Sequence, residues 1–213
     1  MAIEIEGEVG SGLRGVADGV NATLRQGKTG ELMVSSTHGI NYEATSRGNI
    51  YCVTNQTGVT TQAGLSATTP ALTLYNPPDS GVNCVILYAG YVTTVAFAAA
   101  SVIWLAANTN TVAAPVTGTL ATAARNGLLG SGSTGRVQPL LAATLPAVPV
   151  GVAILGAGLT GAITTVPGAE TRGRYFDGSL IVRPGAAISF QTSTASGANA
   201  FFGEIVYEEV PIS

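Results

Sequence analysis

The sequence predicts an all-β fold, a jelly-roll-like antiparallel β-sandwich with an extended N-terminal arm. From residue 50 onward, short runs of β-branched and aromatic residues alternate with Gly, Pro, Asn and Asp turn signals, as in sandwiches and barrels. No segment has the periodicity of an amphipathic helix. Glycines interrupt the first 48 residues too often for a stable helix. We therefore divide the chain into an arm, residues 1–48, and a sandwich body, residues 49–213.

One short segment of the arm, residues 31–34, has the composition of a strand. Its residues Leu32 and Val34 have no local core to enter, because the surrounding arm is rich in glycine. We expect this segment to pair with a sheet edge, in the same subunit or in a neighbouring copy.

The body is predicted to contain nine strands. They are expected at residues 50–53, 71–75, 82–91, 101–107, 136–145, 151–155, 175–182, 186–192 and 200–209, with turns at 76–81, 177–178, 184–185 and 196–197. The clearest unit is the hairpin at Pro184-Gly185, after which Ile188 and Phe190 share one buried face. The irregular link from residue 108 to 135 argues against a simple meander and favours a jelly roll, with an immunoglobulin-like sandwich as the alternative.

The composition favours an assembly subunit over a freely dispersed monomer. Only 10% of residues are charged, against roughly 25% in an ordinary soluble domain. Residues 48–169 contain three charges, Asp79, Arg125 and Arg136. A neutral surface of Thr, Ser, Asn and Gly keeps monomers apart poorly, so we expect much of it to be covered by other copies.

Charge and hydropathy also exclude some partners. The net charge is -3 and the only lysine is Lys28, so no patch can neutralise a run of phosphates, and nucleic-acid binding is not expected. Residues 85–107 lack charge over a length that could span a bilayer, but polar residues interrupt them. We interpret them as two strands around an Ala-rich turn and predict no membrane span. The acidic residues 1–8 do not resemble a signal peptide, which predicts synthesis and assembly in a cytoplasm.

One motif resembles a dinucleotide-binding fingerprint. Residues 152–161 form an apolar run that leads into G-x-G-x-x-G, and the same spacing recurs at residues 10–15 and 130–135. A dinucleotide site needs a helix that begins at these glycines, because the helix N-terminus binds the pyrophosphate. The residues after 161 are β-branched and soon reach Pro167, so we predict no bound cofactor.

The sequence offers no catalytic or metal-binding set. His38 is the only histidine, and Cys52 and Cys84 lack the spacing of metal ligands, so we predict two buried, reduced thiols and no enzymatic activity. The carboxylates of Glu204, Glu208 and Glu209 could serve a glycosidase, but we interpret them as the solvated charges of an edge strand.

A short basic and aromatic patch, Arg172, Arg174, Tyr175 and Phe176, has two interpretations. Such residues can stack sugars or bases, and they are also enriched at subunit contacts. We favour the subunit contact.

Several motifs together resemble the structural virion proteins of tailed bacteriophages. They are residues 27–34 (GKTGELMV), 38–39 (HG), 42–44 (YEA), 47–49 (RGN), 74–77 (LYNP), 107–109 (ANT), 177–181 (DGSLI), 184–185 (PG) and 208–211 (EEVP). The resemblance covers the chain from about residue 25 and implies a jelly-roll capsid cement or decoration protein that forms trimers. It supplies no catalytic residue.

The resemblance gives the expected function. It implies a subunit on the outer capsid surface of the virion that binds the major capsid protein and stabilises contacts between capsid subunits. We expect the arm to make those contacts. The candidate contact residues are Arg25, Lys28, Leu32, Val34, His38, Tyr42 and Arg47. The alternative is a head-fibre or tail appendage, or a receptor-binding module, that recognises surface carbohydrate through Tyr- and Arg-lined loops. A polysaccharide-degrading enzyme is third.

Overall fold

A computed structural model describes residues 39–109, 116–120, 124–158 and 170–212. The chain divides into two compact units, Met1–Tyr42 and Glu43–Ser213. Most of the predicted arm, including the strand candidate at residues 31–34, lies outside the described residues. None of the helices within the described ranges has the length and apolarity needed to cross a membrane.

The described residues form one short helix and eleven strands. The helix is α1 (Tyr42–Ser46), and the strands are β1 (Ile50–Thr54), β2 (Thr73–Asn76), β3 (Val82–Thr93), β4 (Ser101–Asn108), β5 (Thr117–Leu120), β6 (Arg125–Asn126), β7 (Gln138–Thr144), β8 (Val150–Gly158), β9 (Glu170–Val182), β10 (Ala186–Thr192) and β11 (Phe201–Pro211). All nine predicted strands are present, with bounds that differ by a few residues at most positions.

The strands form two antiparallel sheets that pack as a sandwich. The first sheet has the order β6-β1-β11-β3-β9, and the second has the order β5-β7-β2-β10-β4-β8. The all-β sandwich predicted from the sequence is therefore confirmed.

The strand order is nested. In the first sheet, β1 pairs with β11 and β11 with β3, and β3 pairs with β9. In the second sheet, β2 pairs with β10 and β10 with β4, and β4 pairs with β8. Early strands thus lie beside late strands, and the chain crosses repeatedly between the sheets, so a simple meander is excluded for the described residues.

The main core lies between the two sheets. Tyr91, Phe201 and Phe190 form a continuous row of rings, with centroids 5.8 Å apart in the first pair and 5.6 Å apart in the second. Ile188 packs in the same core, so the predicted buried face of the 184–185 hairpin is confirmed. Each such side chain contributes on the order of 2 kcal/mol when it is removed from water.

The other face of β10 is buried as well, which the alternation did not predict. Ala187 packs in a second apolar cluster with Tyr75, Leu140 and Leu145, outside the second sheet. Gln191 is buried there because its side-chain amide donates to the carbonyl of Ser66 and its oxygen accepts from the amide of Ser66. The loop before β2 therefore covers this face.

Two local predictions about the body are wrong. Asp177-Gly178 is not a turn between strands but a bulge inside β9, with φ of 46° and 83°, where Ile86 still pairs with Leu180 and Tyr88 with Tyr175. The link from residue 108 to 135 is not irregular throughout, because it contains β5 and β6.

The arm is not extended over its last residues, since α1 forms there. The helix can form because residues 42–46 contain no glycine, and it ends in a Schellman motif. The amide of Asn49 donates to the carbonyl of Ala44, and the amide of Gly48, with φ of 76°, donates to the carbonyl of Thr45.

Candidate functional site

The candidate contact residues of the arm fall into two groups. Arg25, Lys28, Leu32, Val34 and His38 lie outside the described residues. Tyr42 is the first residue of α1 and Arg47 directly follows the helix. The Arg47 guanidinium contacts the Glu43 carboxylate at 2.8 Å. Both side chains of this pair are more than half exposed, so the pair adds little stability.

The three glutamates near the C-terminus do not lie on an edge strand. They belong to β11, which lies between β1 and β3 in the first sheet, so the edge interpretation is wrong. Glu204 is exposed and Glu209 is buried, because alternate residues of a strand point to opposite faces. The three carboxylates therefore do not form one constellation.

The buried carboxylate of Glu209 organises the loop before β7. Its Oε1 atom accepts the amide hydrogens of Arg136 and Val137, at 2.7 and 2.9 Å. The Arg136 side chain donates to the carbonyl of Ser80, and the Tyr51 hydroxyl is hydrogen-bonded to that of Ser133. Glu209 therefore has a structural role in the described part of the chain.

This loop contains the glycine pattern at residues 130–135. Gly130, Gly132 and Gly135 all have positive φ, and the chain then continues into β7 instead of a helix. At Gly135 a Cβ atom would also lie 2.6 Å from the Glu209 carboxylate. Backbone turns therefore explain these glycines, and at Gly135 the nearby Glu209 carboxylate also leaves no room for a side chain.

The pattern that begins at Gly156 lies partly in β8, an antiparallel edge strand, and its last residues fall outside the described ranges. A Cβ at Gly156 would meet the Tyr91 hydroxyl at 2.5 Å and the Arg172 side chain at 2.9 Å. The close packing of β8 against these side chains accounts for the glycine.

The residues of the basic and aromatic patch lie on two opposite faces of β9. Tyr175 is 73% exposed, whereas Phe176 is buried beneath the Arg174 guanidinium, which lies 5.2 Å from the ring centroid. Neighbouring residues of a strand face opposite sides, so Tyr175 and the Phe176–Arg174 pair do not form one flat stacking surface.

A cleft of about 230 Å³ opens on the outer face of the first sheet. We call it the outer-face cleft and define it by Tyr88, Gly90, Val92, Phe202 and Glu204, which are among its lining residues. Gly90 lies directly opposite Glu204, and Val92 opposite Phe202, in the pairing of β3 with β11. The exposed Glu204 carboxylate is therefore flanked by an aromatic ring along its own strand and by a glycine on the next strand.

The Tyr88 side chain forms one wall of this cleft. Its hydroxyl lies over Gly90 and Gly173, which are paired residues of β3 and β9, and a Cβ at either position would collide with it. The Tyr88 ring also packs against Tyr175, with centroids 4.9 Å apart. Burial raises the pKa of the Tyr88 hydroxyl, and the Glu204 carboxylate and Tyr175 raise it further.

Most other polar groups of the outer-face cleft already have partners. The Asn55 amide donates to the carbonyls of Thr57 and Phe201, and its oxygen accepts from the amide of Gly203. The Thr54 hydroxyl accepts a hydrogen bond from Gln56. Within the described ranges, neither the Glu204 carboxylate nor the Tyr88 hydroxyl has a hydrogen-bond or ion-pair partner.

The sequence did not reveal this cleft, because its residues come from strands far apart in the chain. The only local signal was the alternation that places Phe202, Glu204 and Val206 on one face of β11.

A second unusual surface is the free edge of β8. In the described part of the protein β8 pairs only with β4. Its sequence has no charge, and Val150, Val152 and Ile154 are 69%, 47% and 62% exposed. We call this surface the β8 edge.

The two cysteines are free thiols. Cys84 is fully buried, as predicted, and burial raises the pKa of its thiol. Cys52 is only half-buried, so the prediction of burial is too strong for that residue. No group of three or more His, Cys, Asp and Glu residues that could hold a metal ion occurs within the described ranges.

Comparison of the chain with protein-family models, with curated proteins and with solved structures finds no match.

Proposed function

We propose that this protein is a structural subunit of a symmetric assembly, a cement or decoration protein on the outer surface of a tailed-phage capsid. The observation that carries the assembly part of the proposal is the uncharged β8 edge. The phage context is supported by the sequence resemblance, together with the fold.

The β8 edge stands out against the other sheet edges. β6 has two residues and β5 has four, and such short edges offer little template for a new strand. Both longer edge strands pair irregularly, since β9 has one register shift against β3 and β8 has two against β4. They differ in charge: β9 carries exposed Arg172 and Arg174, and charged side chains on an edge hinder strand addition, whereas β8 has nine residues and no charge. Such an edge promotes aggregation unless another strand or chain covers it, which supports association with further polypeptide.

The nested strand order supports a jelly roll. Without β5, β6 and β7, the eight remaining strands form two four-stranded sheets, β1-β11-β3-β9 and β2-β10-β4-β8. Jelly rolls consist of eight strands in two such sheets and occur in viral capsid and lectin domains. The fold is thus compatible with a capsid role, although a fold alone does not determine function.

The predicted homotrimer requires a particular use of the β8 edge. Two β8 edges that pair with each other produce a two-fold axis and a dimer, whereas a closed ring of three needs β8 to bind a different segment of the next subunit. We propose that residues 31–34, the strand candidate predicted from the sequence, are that segment. Repeated arm contacts around a shell would add through effective concentration, so each contact with the major capsid protein can be weak.

Light scattering tests the assembly part of the proposal. The natural protein should give about three times the chain mass of 21.3 kDa. The V152K/I154K variant, which places two lysines on the β8 edge, should give a lower mass. Thr119→Lys, on the exposed edge strand β5 of the same sheet, is the matched control and should keep the natural mass. A natural protein that is monomeric at all concentrations contradicts the assembly.

The capsid role is tested separately. Immunogold labelling should place the protein on phage heads, and the purified protein should co-sediment with capsids. Labelling confined to tails or fibres would replace the cement role with the receptor-binding alternative, which the exposed ring of Tyr175 favours. Binding on a glycan array would then identify the carbohydrate.

A further inference from the structure

The outer-face cleft combines a negative charge with aromatic walls. The Glu204 carboxylate is exposed within it, and the rings of Tyr88 and Phe202 line the same space. The face of an aromatic ring carries partial negative charge, so both kinds of group attract a cation. A volume of about 230 Å³ is sufficient for an ammonium or guanidinium group with the end of its carbon chain.

From this we infer that the outer-face cleft is a binding site for a positively charged side chain, the ammonium of a lysine or the guanidinium of an arginine, presented by a partner polypeptide. The inference goes beyond the assembly proposal, because the cleft does not include the β8 edge and requires no phage context.

The hydrogen bonds within the cleft distinguish a cation from a sugar. A neutral sugar is recognised by several directional hydrogen bonds, and the Asn55 amide that could provide them is already bonded to Thr57, Phe201 and Gly203. The Thr54 hydroxyl accepts a hydrogen bond from Gln56 and keeps one hydrogen to donate. What remains is one carboxylate, the hydroxyls of Tyr88 and Thr54, and ring faces. The carboxylate is the only charged group among these lining residues, and with the ring faces it matches a single charged donor group better than a polyhydroxylated ligand.

The surrounding charges agree with this choice. Glu208 lies on the same face of β11, where alternate residues point in one direction, and therefore adds to the negative potential. Arg172 and Arg174 are paired with Tyr91 and Ala89, which belong to the core side of β3. Their register therefore places them on the side of the sheet opposite the cleft.

The test uses methylguanidinium and methylammonium chloride as probes of the full-length protein, with ionic strength held constant by NaCl. Backbone and methyl NMR signals of Gly90, Val92 and Gly203 should shift in a saturable manner, with dissociation constants on the order of 1–10 mM. Urea, a neutral molecule of similar shape to methylguanidinium, should cause no saturable shift over the same range.

Two variants locate the binding. Glu204→Gln should weaken it about tenfold, because the charge is lost while the shape is kept. Phe202→Leu should weaken it about two- to fivefold, the contribution of one cation–π contact at an exposed site. Glu208→Gln, on the same strand and face but outside the cleft, is the matched control. Its charge acts only through the long-range potential, which salt screens, so its loss should change binding less than twofold. The NMR spectra themselves report whether each variant is folded.

Three outcomes would overturn the inference. The first is the absence of saturable shifts in the natural protein up to 50 mM probe. The second is equal binding by the Glu204→Gln variant. The third is saturable binding at these same signals by neutral mono- or oligosaccharides in place of the cations, which would assign the cleft to carbohydrate.

Discussion

Replacement of Glu209 by alanine should destabilise the protein through the loop that precedes β7. The carboxylate accepts the amide hydrogens of Arg136 and Val137 through one oxygen, Oε1, and the residue is 7% exposed. In the alanine variant both amides lose their acceptor. A buried unsatisfied amide costs about 1–3 kcal/mol.

The two amides do not contribute equally. The Val137 bond is buried, so its loss should cost about 2 kcal/mol, whereas the Arg136 bond is part-buried and water can replace it at about 1 kcal/mol. The free energy of unfolding should therefore fall by about 3 kcal/mol. For a chain of this size that corresponds to a decrease in Tm of about 6–12 °C.

Two further variants make the measurement specific. Glu209→Gln keeps an oxygen for both amides and loses only the contribution of the negative charge, so it should cost about 1 kcal/mol. Glu208→Ala removes a neighbouring carboxylate from the opposite face of β11 and should change stability by less than about 0.5 kcal/mol. Thermal and urea unfolding are compared at one protein concentration, because association shifts apparent stability. If Glu209→Ala and Glu208→Ala unfold at the same temperature, the carboxylate does not hold the loop.

Two other predictions concern packing and ionisation. Gly58→Ala should lower the free energy of unfolding, measured in urea, by about 2 kcal/mol or more, because its Cβ would overlap the Asn199 carbonyl. Gly39→Ala, with open space around it, is the control and should be neutral. Equal stability of the two variants would contradict the close contact between Gly58 and Asn199. Burial raises the pKa of Cys84 and of Tyr207 above their ordinary values of 9.0 and 10.0, so both stay protonated in the folded state and stability should fall as pH rises above about 9. Burial also raises the pKa of Cys52, so in Cys84→Ala the decline should be less steep and not absent. An unfolding free energy that is constant up to pH 11 would show that none of these groups is desolvated.

The strands were predictable because their signal is local. β10 and β11 each show alternation that survives in the structure, with Ile188 and Phe190 on one face of β10, and Ile205 and Tyr207 on the core face of β11. Local signals fail where long-range pairing decides the outcome. Asp177-Gly178 has the sequence of a turn, yet the residues on both sides pair with β3, so the dipeptide forms a bulge within a continuous strand.

The sequence also did not indicate the position of a strand within its sheet. The charges of β11 suggested an edge, but β11 is a central strand that carries exposed Glu204 on one face and Ile205 in the core. The outer-face cleft exists because Gly90 is paired with Glu204, and this register depends on the whole antiparallel pairing of β3 and β11. Neither glycine nor glutamate alone predicts a site. The pair does so only once the topology places them opposite each other.

The two proposed surfaces belong to different sheets, and this separation makes them independently testable. The β8 edge lies at the end of the second sheet, whereas Glu204 lies on β11, in the middle of the first. A strand added to β8 extends the second sheet in its own plane and does not cover the outer face of the first. Mutations in separate sites without shared partners have additive effects. Lysines at Val152 and Ile154 should therefore alter the mass of the assembly without changing cation binding, and Glu204→Gln should do the reverse. Coupling between the two would mean that neighbouring copies contact the cleft directly, and the occupant would then be a basic residue of this same chain.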